Sequence, residues 1–198
     1  MTGFSQAKQR LLDLLGDRPI GLEVPPDQAM AIEAAVAALE PENPTPAPTA
    51  AAALLEANWR LRYTTNLELL GIDRAPLIGL DRVYQTLRPT TGQVVNIAEI
   101  RTLPGLESLV SVRARAEVES PTRFRVEFER FVAGPQRWLG YHGPEDWVEQ
   151  VARPDRFWGL DFPIGVGSRV GWIEITYLDA DLRVNRGNEG SLFVLTRT

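Results

Sequence analysis

The sequence predicts a mainly β (α+β) protein, an antiparallel barrel of about eight strands preceded by an N-terminal helical annex. Three features predict it. From Asn58 onward, apolar residues recur at every second position in run after run, the mark of half-buried strands. Before Asn58 the spacing is helical and is interrupted by the proline-rich stretch from Pro41 to Pro48. The strand origins, near Asn58, Val83, Val94, Leu106, Thr122, Arg169, Leu182 and Ser191, number about eight, the size at which a barrel just holds one small ligand. Residues 1–57 therefore read as annex plus linker, and residues 58–198 as the barrel domain.

In chain order, Ser5 to Leu15 spaces Ala7, Leu11, Leu12, Leu14 and Leu15 helically, with Lys8 and Arg10 expected on the opposite side and Gly16 as the stop. That stripe suits docking on the barrel, or contact with a membrane surface. Pro25, Pro26 and Asp27 open a second helix whose face runs Ile32, Val36 and Leu39 until Pro41 ends it. The linker PENPTPAP favours extended chain, after which Thr49 caps a short alanine-rich helix reaching Glu56.

The period then becomes two. Trp59, Leu61 and Tyr63 share one face of the first strand; Val83 to Leu87 and Val94 to Leu103 follow, with a turn at Thr91-Gly92 before the second of them. Between Leu106 and Val118, Ser108, Val110, Val112, Ala114 and Ala116 lie on one side and charged residues on the other. Phe124, Val126 and Phe128 resume the pattern after Pro121, and its parity slips at Arg130-Phe131, as a β-bulge requires. In the last run Ile173, Ile175 and Tyr177 take one face, Leu182 and Val184 continue it, and Gly187 and Gly190 bracket a turn before Leu192 to Leu195.

Composition narrows the function. The 198 residues make 22.0 kDa, enough for one domain with a real core. The net charge of −5 argues against a nucleic-acid partner, whose binding rests on neutralising phosphates. The absence of Cys removes thiolate nucleophiles and thiolate metal sites, and only one His is present. No apolar run approaches the roughly 20 residues that cross a bilayer, so a soluble protein is expected. Met1 to Arg10 lacks the Arg- and Ser-rich, acid-poor character of a transit peptide, which suggests a bacterial protein or one already trimmed.

The closing run also carries a resemblance. Tyr177-Leu178-Asp179-x-Asp181-Leu182-Arg183, then Arg186-Gly187-Asn188 and Gly190-x-x-Phe193-Val194-Leu195, resembles the end of the plastid lipid-associated, or fibrillin, family. Asn58 to Thr65 resembles that family's opening strand, and Trp59 the tryptophan near the start of lipocalin barrels. The resemblance implies a lipocalin-like barrel in which Trp59, Tyr177, Asp179, Asp181, Arg183, Arg186 and Gly187 are structural signature residues. It further implies noncatalytic binding of an apolar isoprenoid-type lipid, a quinone or carotenoid, at thylakoids or lipid globules, with no cofactor. The expected location is cytoplasmic or peripheral to the thylakoid of a cyanobacterium. Two alternatives stand beside this: a solid barrel acting as a scaffold on a membrane or protein complex, and a lipocalin-like bilin lyase.

Among candidate sites, Gly134 to Ser168 gathers Trp138, Tyr141, Trp147, Phe157, Trp158 and Phe162. On a loop at the barrel mouth these rings would contact an apolar ligand or a membrane interface; alternatively they pack under a long surface loop. Inward-facing Ala114 and Ala116 would either leave a cavity or relieve crowding. Asp179, Asp181, Arg183 and Arg186 read as an ion-pair network, since neighbouring arginines hold both acids ionised. One of these arginines, with Arg186 as the residue to test, is an alternative lid over Trp59. His142 reads as a turn residue and not a metal ligand, and Gly165-Val166-Gly167 lacks the third glycine of a phosphate loop.

Overall fold

The period-two segments form nine strands among the residues that the computed structural model describes, namely 5–16, 24–66, 80–103, 105–165, 167 and 170–198. They are β1 (Ala57–Thr64), β2 (Leu80–Arg88), β3 (Gln93–Leu103), β4 (Leu106–Val118), β5 (Arg123–Pro135), β6 (Leu160–Pro163), β7 (Val170–Leu178), β8 (Leu182–Gly187) and β9 (Leu192–Arg197). Their order is β4-β3-β2-β1-β9-β8-β7-β5-β6, and β4 also pairs with β5. Eight strands thus close into an antiparallel, lipocalin-like barrel, with β6 lying outside the ring. The strand origin expected at Arg169, and Val166 and Ser168 of the preceding loop, lie outside the described residues.

β5 makes both closure and fork possible. Its first half, Arg123–Glu127, pairs with β7, whereas Arg130–Ala133 pairs with β6. Between the halves lies a bulge: Arg113 faces Arg130 but Ala114 faces Phe128, leaving Glu129 as the extra residue beside the slip expected from parity. Gly92 turns β2 into β3 at φ +64°, and a Cβ there would come within 2.9 Å of the Ala116 carbonyl oxygen.

Both faces of the wall are apolar, and this produces three cores. Inside the barrel, Trp59, Leu61, Val83, Val112, Phe128 and Leu195 belong to the central cluster, joined at one end by Leu55. Ala114 is buried in it and Ala116 packs against it. Outside β1, β7, β8 and β9, the helices α1 (Gln6–Leu15) and α2 (Pro26–Leu39) cover Tyr63, Tyr177, Leu182, Val184 and Val194 with Leu11, Leu15, Ile32, Val36 and Leu39. Register shifts between Leu61 and Tyr63 and between Ile175 and Tyr177 turn both tyrosines outward to meet the helices. Tyr63 therefore does not share the face of Trp59, and Tyr177, Leu182 and Val184 do not continue the inward face of Ile175.

On the far wall, α4 (Gln136–Leu139) and α5 (Pro144–Ala152) cover Tyr84, Val95, Ile97, Leu109 and Val132. α3 (Ala52–Leu55) is shorter than the sequence suggests, because a 3-10 turn at Pro48–Ala50 takes up its start. The linker is fastened to the barrel: the Leu178 amide donates to Asn43 Oδ1 at 3.1 Å, and Thr45 Oγ1 donates to the Leu178 carbonyl at 2.7 Å.

Lys8 corrects the reading of α1. It lies on the docking face beside Leu11 and Leu15, 5% exposed, and its ammonium meets Asp179 Oδ2 at 2.6 Å and Asp181 at 3.6 Å. Asp179 also accepts the Tyr177 hydroxyl at 2.7 Å, and its other oxygen accepts the Asp181 and Leu182 amides at 2.8 Å each, which closes the β7–β8 hairpin. Burial alone would raise the Asp179 pKa, but the hydrogen bonds from Lys8, Tyr177 and the two amides outweigh it and hold the carboxyl below its ordinary value.

Asp179→Asn keeps an acceptor for the two amides and removes the charge, so it isolates the link to α1. A loss of about 1.5–3 kcal/mol is expected at pH 7. A depressed folded pKa contributes stability above the unfolded value of about 3.9 and loses it as pH falls through the folded value. The gap in melting temperature between wild type and Asp179→Asn should therefore hold from pH 7 to 5 and narrow progressively as pH falls below about 3.9. A gap independent of pH in thermal melts would refute the charge assignment.

Candidate functional site

Alternation along β8 sends Leu182 and Val184 to the helices, which leaves Arg183, Asn185 and Gly187 facing the barrel interior. Arg183 is fully buried, with its guanidinium carbon 4.9 Å from the Trp59 ring centre. Arg197, at the end of β9, lies 5.0 Å from the same ring. Trp59 is itself completely buried, and its indole N–H donates to the Leu55 carbonyl at 3.0 Å, fixing α3 across that end of the barrel. Of the signature arginines it is thus Arg183 that stacks on Trp59. Arg186 points away and grips Glu40 at 2.8 and 2.9 Å, so it ties β8 to the chain just after α2.

Above this stack lies a chain of polar side chains. Arg183 Nη2 donates to Gln85 Oε1 at 2.5 Å, and Gln85 Nε2 donates to Asn96 Oδ1 at 3.0 Å. Gln85 pairs with Trp59 in register and Asn96 lies beside it on β3, so both mark the floor. Burial, with the Arg197 charge nearby, pushes the Arg183 pKa down to about 9, which leaves it a cation at neutral pH. Its Nε and Nη1 have no hydrogen-bond partner, and neither does Asn185 Oδ1.

The interior is hollow on this side. A cavity of ≈ 170 Å³ has Gln85, Asn96 and Asn185 on its polar wall and Val94, Val126, Phe128, Ile173, Phe193 and Leu195 on its apolar wall. It reaches the surface beside Val170, at the end of the barrel opposite Trp59. Gly187 lines it too. Ala114 and Ala116, where the sequence suggested space, do not line this cavity.

The aromatics of residues 134–168 occupy other places. The segment contains α4, α5 and β6 rather than one long loop. Trp147, fully buried, lies against the outer wall and donates its indole N–H to Ser111 Oγ at 2.8 Å. Tyr141 packs edge-on to Trp147 and donates its hydroxyl to Glu99 at 2.6 Å; burial, then that carboxylate, raises its pKa. Phe157 covers Trp147 from the other side. The barrel wall separates these three rings from the cavity, so packing beneath the segment describes them and a lid over the mouth does not.

Trp138, Trp158 and Phe162 remain exposed, at 57, 82 and 40% respectively, together with Leu160. Leu160 pairs with Ala133, and Phe162 stacks on Phe131 at 4.9 Å, which sets the patch along the final third of β5.

Arg130 holds this segment down. It grips Asp161 at 2.7 and 2.9 Å and donates to the carbonyls of Val151, Arg153 and Asp155. The Arg130 hydrogen bonds outweigh burial and hold Asp161 below the usual carboxylate range. His142 is exposed at the turn between α4 and α5, and no cluster of metal-ligating side chains occurs among the described residues. The Gly167 amide donates to Glu127.

Sequence reasoning missed Gln85, Asn96, Asn185 and Arg197. The signal for the first two was legible: each is a polar residue at the centre of an apolar, inward-facing strand set, Val83-Gln85-Leu87 and Val94-Asn96-Ala98. Arg197 offered none, because it stands at the end of a strand where charge is ordinary.

A closed barrel with an interior cavity, a polar floor and a Trp-and-Arg plug defines a lipocalin-like barrel protein. The PAP_fibrillin family model matches residues 5–196, and the chain belongs to that family. It is 34% identical to Plastoglobulin-1, chloroplastic, of Pisum sativum, with 96% of this chain and 60% of that protein aligned. It is 32% identical to a probable plastid-lipid-associated protein 2, chloroplastic, of Arabidopsis thaliana (96% and 70%). It is 31% identical to a chromoplast-specific carotenoid-associated protein of Cucumis sativus (96% and 67%). No solved structure matches the chain significantly.

The two arginines should separate cleanly in experiment. Arg186→Ala breaks a partly exposed pair worth at most about 1 kcal/mol, so it should lower the melting temperature by a few degrees and leave tryptophan emission unchanged. Arg183→Met removes a buried charge without a carboxylate partner but also the donor to Gln85 Oε1, effects of opposite sign on stability, and it should shift the emission through Trp59. The reverse pattern would contradict the stack.

Proposed function

We propose that this protein is a noncatalytic lipid-associated barrel that takes the end of an apolar, isoprenoid-type molecule into its interior while resting against a lipid surface. The cavity of ≈ 170 Å³ carries this reading. Its size decides what enters. An apolar cavity of about 150 Å³ holds one benzene, so the barrel accommodates a single ring or a chain end and not a whole carotenoid. A quinone ring fits head first, with its carbonyls toward Gln85, Asn96 and Asn185 and its prenyl tail leaving beside Val170. For a carotenoid, only a terminal ring enters.

Trp138, Trp158, Leu160 and Phe162 supply the surface contact. Their exposure on the final third of β5 and the neighbouring α4 suits rings and aliphatics that seat at a headgroup boundary. Association is peripheral in this reading: no helix among the described residues is long and apolar enough to cross a membrane. The names of the pea and cucumber relatives, a plastoglobulin and a carotenoid-associated protein, support a lipid setting, and a thylakoid or lipid-globule surface in a cyanobacterium is the one we favour.

Two measurements test the two halves. Decyl-plastoquinone should quench tryptophan emission saturably, and Val126→Trp, which fills the cavity, should weaken that binding at least about tenfold with little change in fold. Equal binding by the filled variant would locate the ligand elsewhere. Flotation with galactolipid vesicles should recover wild type but much less of Trp158→Ser/Leu160→Ser, whose exposed positions leave stability within about 0.5 kcal/mol. Undiminished flotation would dismiss the patch.

A further inference from the structure

The guanidinium of Arg183 raises a question that folding does not answer. It is fully buried, its only side-chain hydrogen bond among the described residues goes to the neutral Gln85, and two of its nitrogens have no partner. The nearest other charge that acts on it is Arg197, which is also a cation. A buried cation without a counter-charge costs free energy that packing does not return. Two positions along the same inward face, Asn185 is 1% exposed and lines the cavity, with its carboxamide N–H2 as the donor it can offer there. Side chains separated by two residues on a strand are about 7 Å apart, so the cation sits immediately behind the polar wall.

We propose that this floor receives the carboxylate of a fatty-acid-type ligand, an apolar chain with one anionic head. The inference rests on the interior cavity being a lipid site and adds the charge of the head that it holds most tightly. The carboxylate sits against Gln85, Asn96 and Asn185, whose amide groups donate to it, and the Arg183 cation behind them supplies the missing counter-charge. Gln85 relays that field, since it accepts from Arg183 through one atom and presents the other to Asn96. The first methylenes lie among Val126, Phe128, Ile173 and Phe193, and the remaining chain runs out past Val170. A neutral head gains the amide contacts but not the charge.

Octanoate carries the anionic head on a short apolar chain, and its methyl ester keeps that chain without the charge. Isothermal titration calorimetry at pH 7.5 should find octanoate bound at least about tenfold more tightly than methyl octanoate by wild type, the scale of an ion 7 Å from a buried cation. Arg183→Met should abolish that preference. Asn185→Leu, which leaves the Arg183–Trp59 stack intact, should weaken octanoate severalfold and the ester little. If the ester or decyl-plastoquinone binds as tightly as octanoate, the anionic head is refuted while the cavity remains a lipid site. If octanoate, ester and quinone all fail to bind wild type, both readings fall together. The wild-type comparison needs no variant, so a poorly folding Arg183→Met would not blunt the test.

Discussion

The stack of Arg183 and Arg197 on Trp59 is the contact that marks where this barrel closes and so where its interior is filled. Trp59 lies near the start of the first strand, Arg183 near the start of the eighth and Arg197 at the end of the ninth, so one indole joins the start of the barrel to the strands that close it. Its ring N–H fixes Leu55, and through it α3, across one end. The backbone of Arg197 completes the junction by donating to the Asp181 carbonyl at 2.9 Å. With that end plugged by an indole and two guanidiniums, the empty part of the interior lies toward the other end. The position of the cavity is therefore a consequence of how the barrel closes.

A second constraint follows from the sidedness of the wall. A barrel this small cannot direct all its apolar residues inward, and Tyr63, Tyr177, Val184, Tyr84, Val95 and Leu109 face out. Exposed, they would make two patches of the kind that drives association. α1 and α2 cover one, α4 and α5 the other. The helices are thus required by the strands, and each set is held by a charged clamp: Lys8 on Asp179 for the first, Arg130 on Asp161 for the second. The aromatic patch around Trp158 and Leu160 is an apolar surface that neither set covers.

The architecture was legible because strand parity survives burial. Ile173, Ile175, Val126 and Phe128 fall inward as alternation requires, and the slip near Arg130 announced a real bulge. Alternation failed where a bulge left no trace in composition, at Tyr63 and Tyr177, whose neighbours read equally well on either face. Lys8 was misplaced for a related reason: a lysine between leucines reads as solvated, and only a carboxylate 171 positions away reveals otherwise. The aromatics of residues 134–168 misled because ring content predicts burial without saying against which side of a wall. The cavity floor was half legible, since Gln85 and Asn96 break apolar faces, but their convergence with Asn185 depends on β8 lying across the barrel from β2 and β3.

Stability alone gives no reason for the polar floor. An aliphatic side chain at Asn185 would remove a partnerless acceptor, a change that usually leaves a fold as stable or more so, whereas one at Arg183 would remove an uncompensated charge and leave Gln85 Oε1 without its donor, two effects that oppose each other. The stack on Trp59 returns only about 0.5–2 kcal/mol of that cost. What the floor does provide is polarity in the vertical sense: an apolar tube with one charged end discriminates between the two ends of any lipid that enters. A uniformly aliphatic interior of the same volume would bind rings and chains in either orientation and with little selectivity, because one methylene more or less is worth so little. On the reading that this cavity is a lipid site, the arrangement of Arg183 behind Gln85 and Asn185 is an element of orientation, placed where the closing strands meet on Trp59.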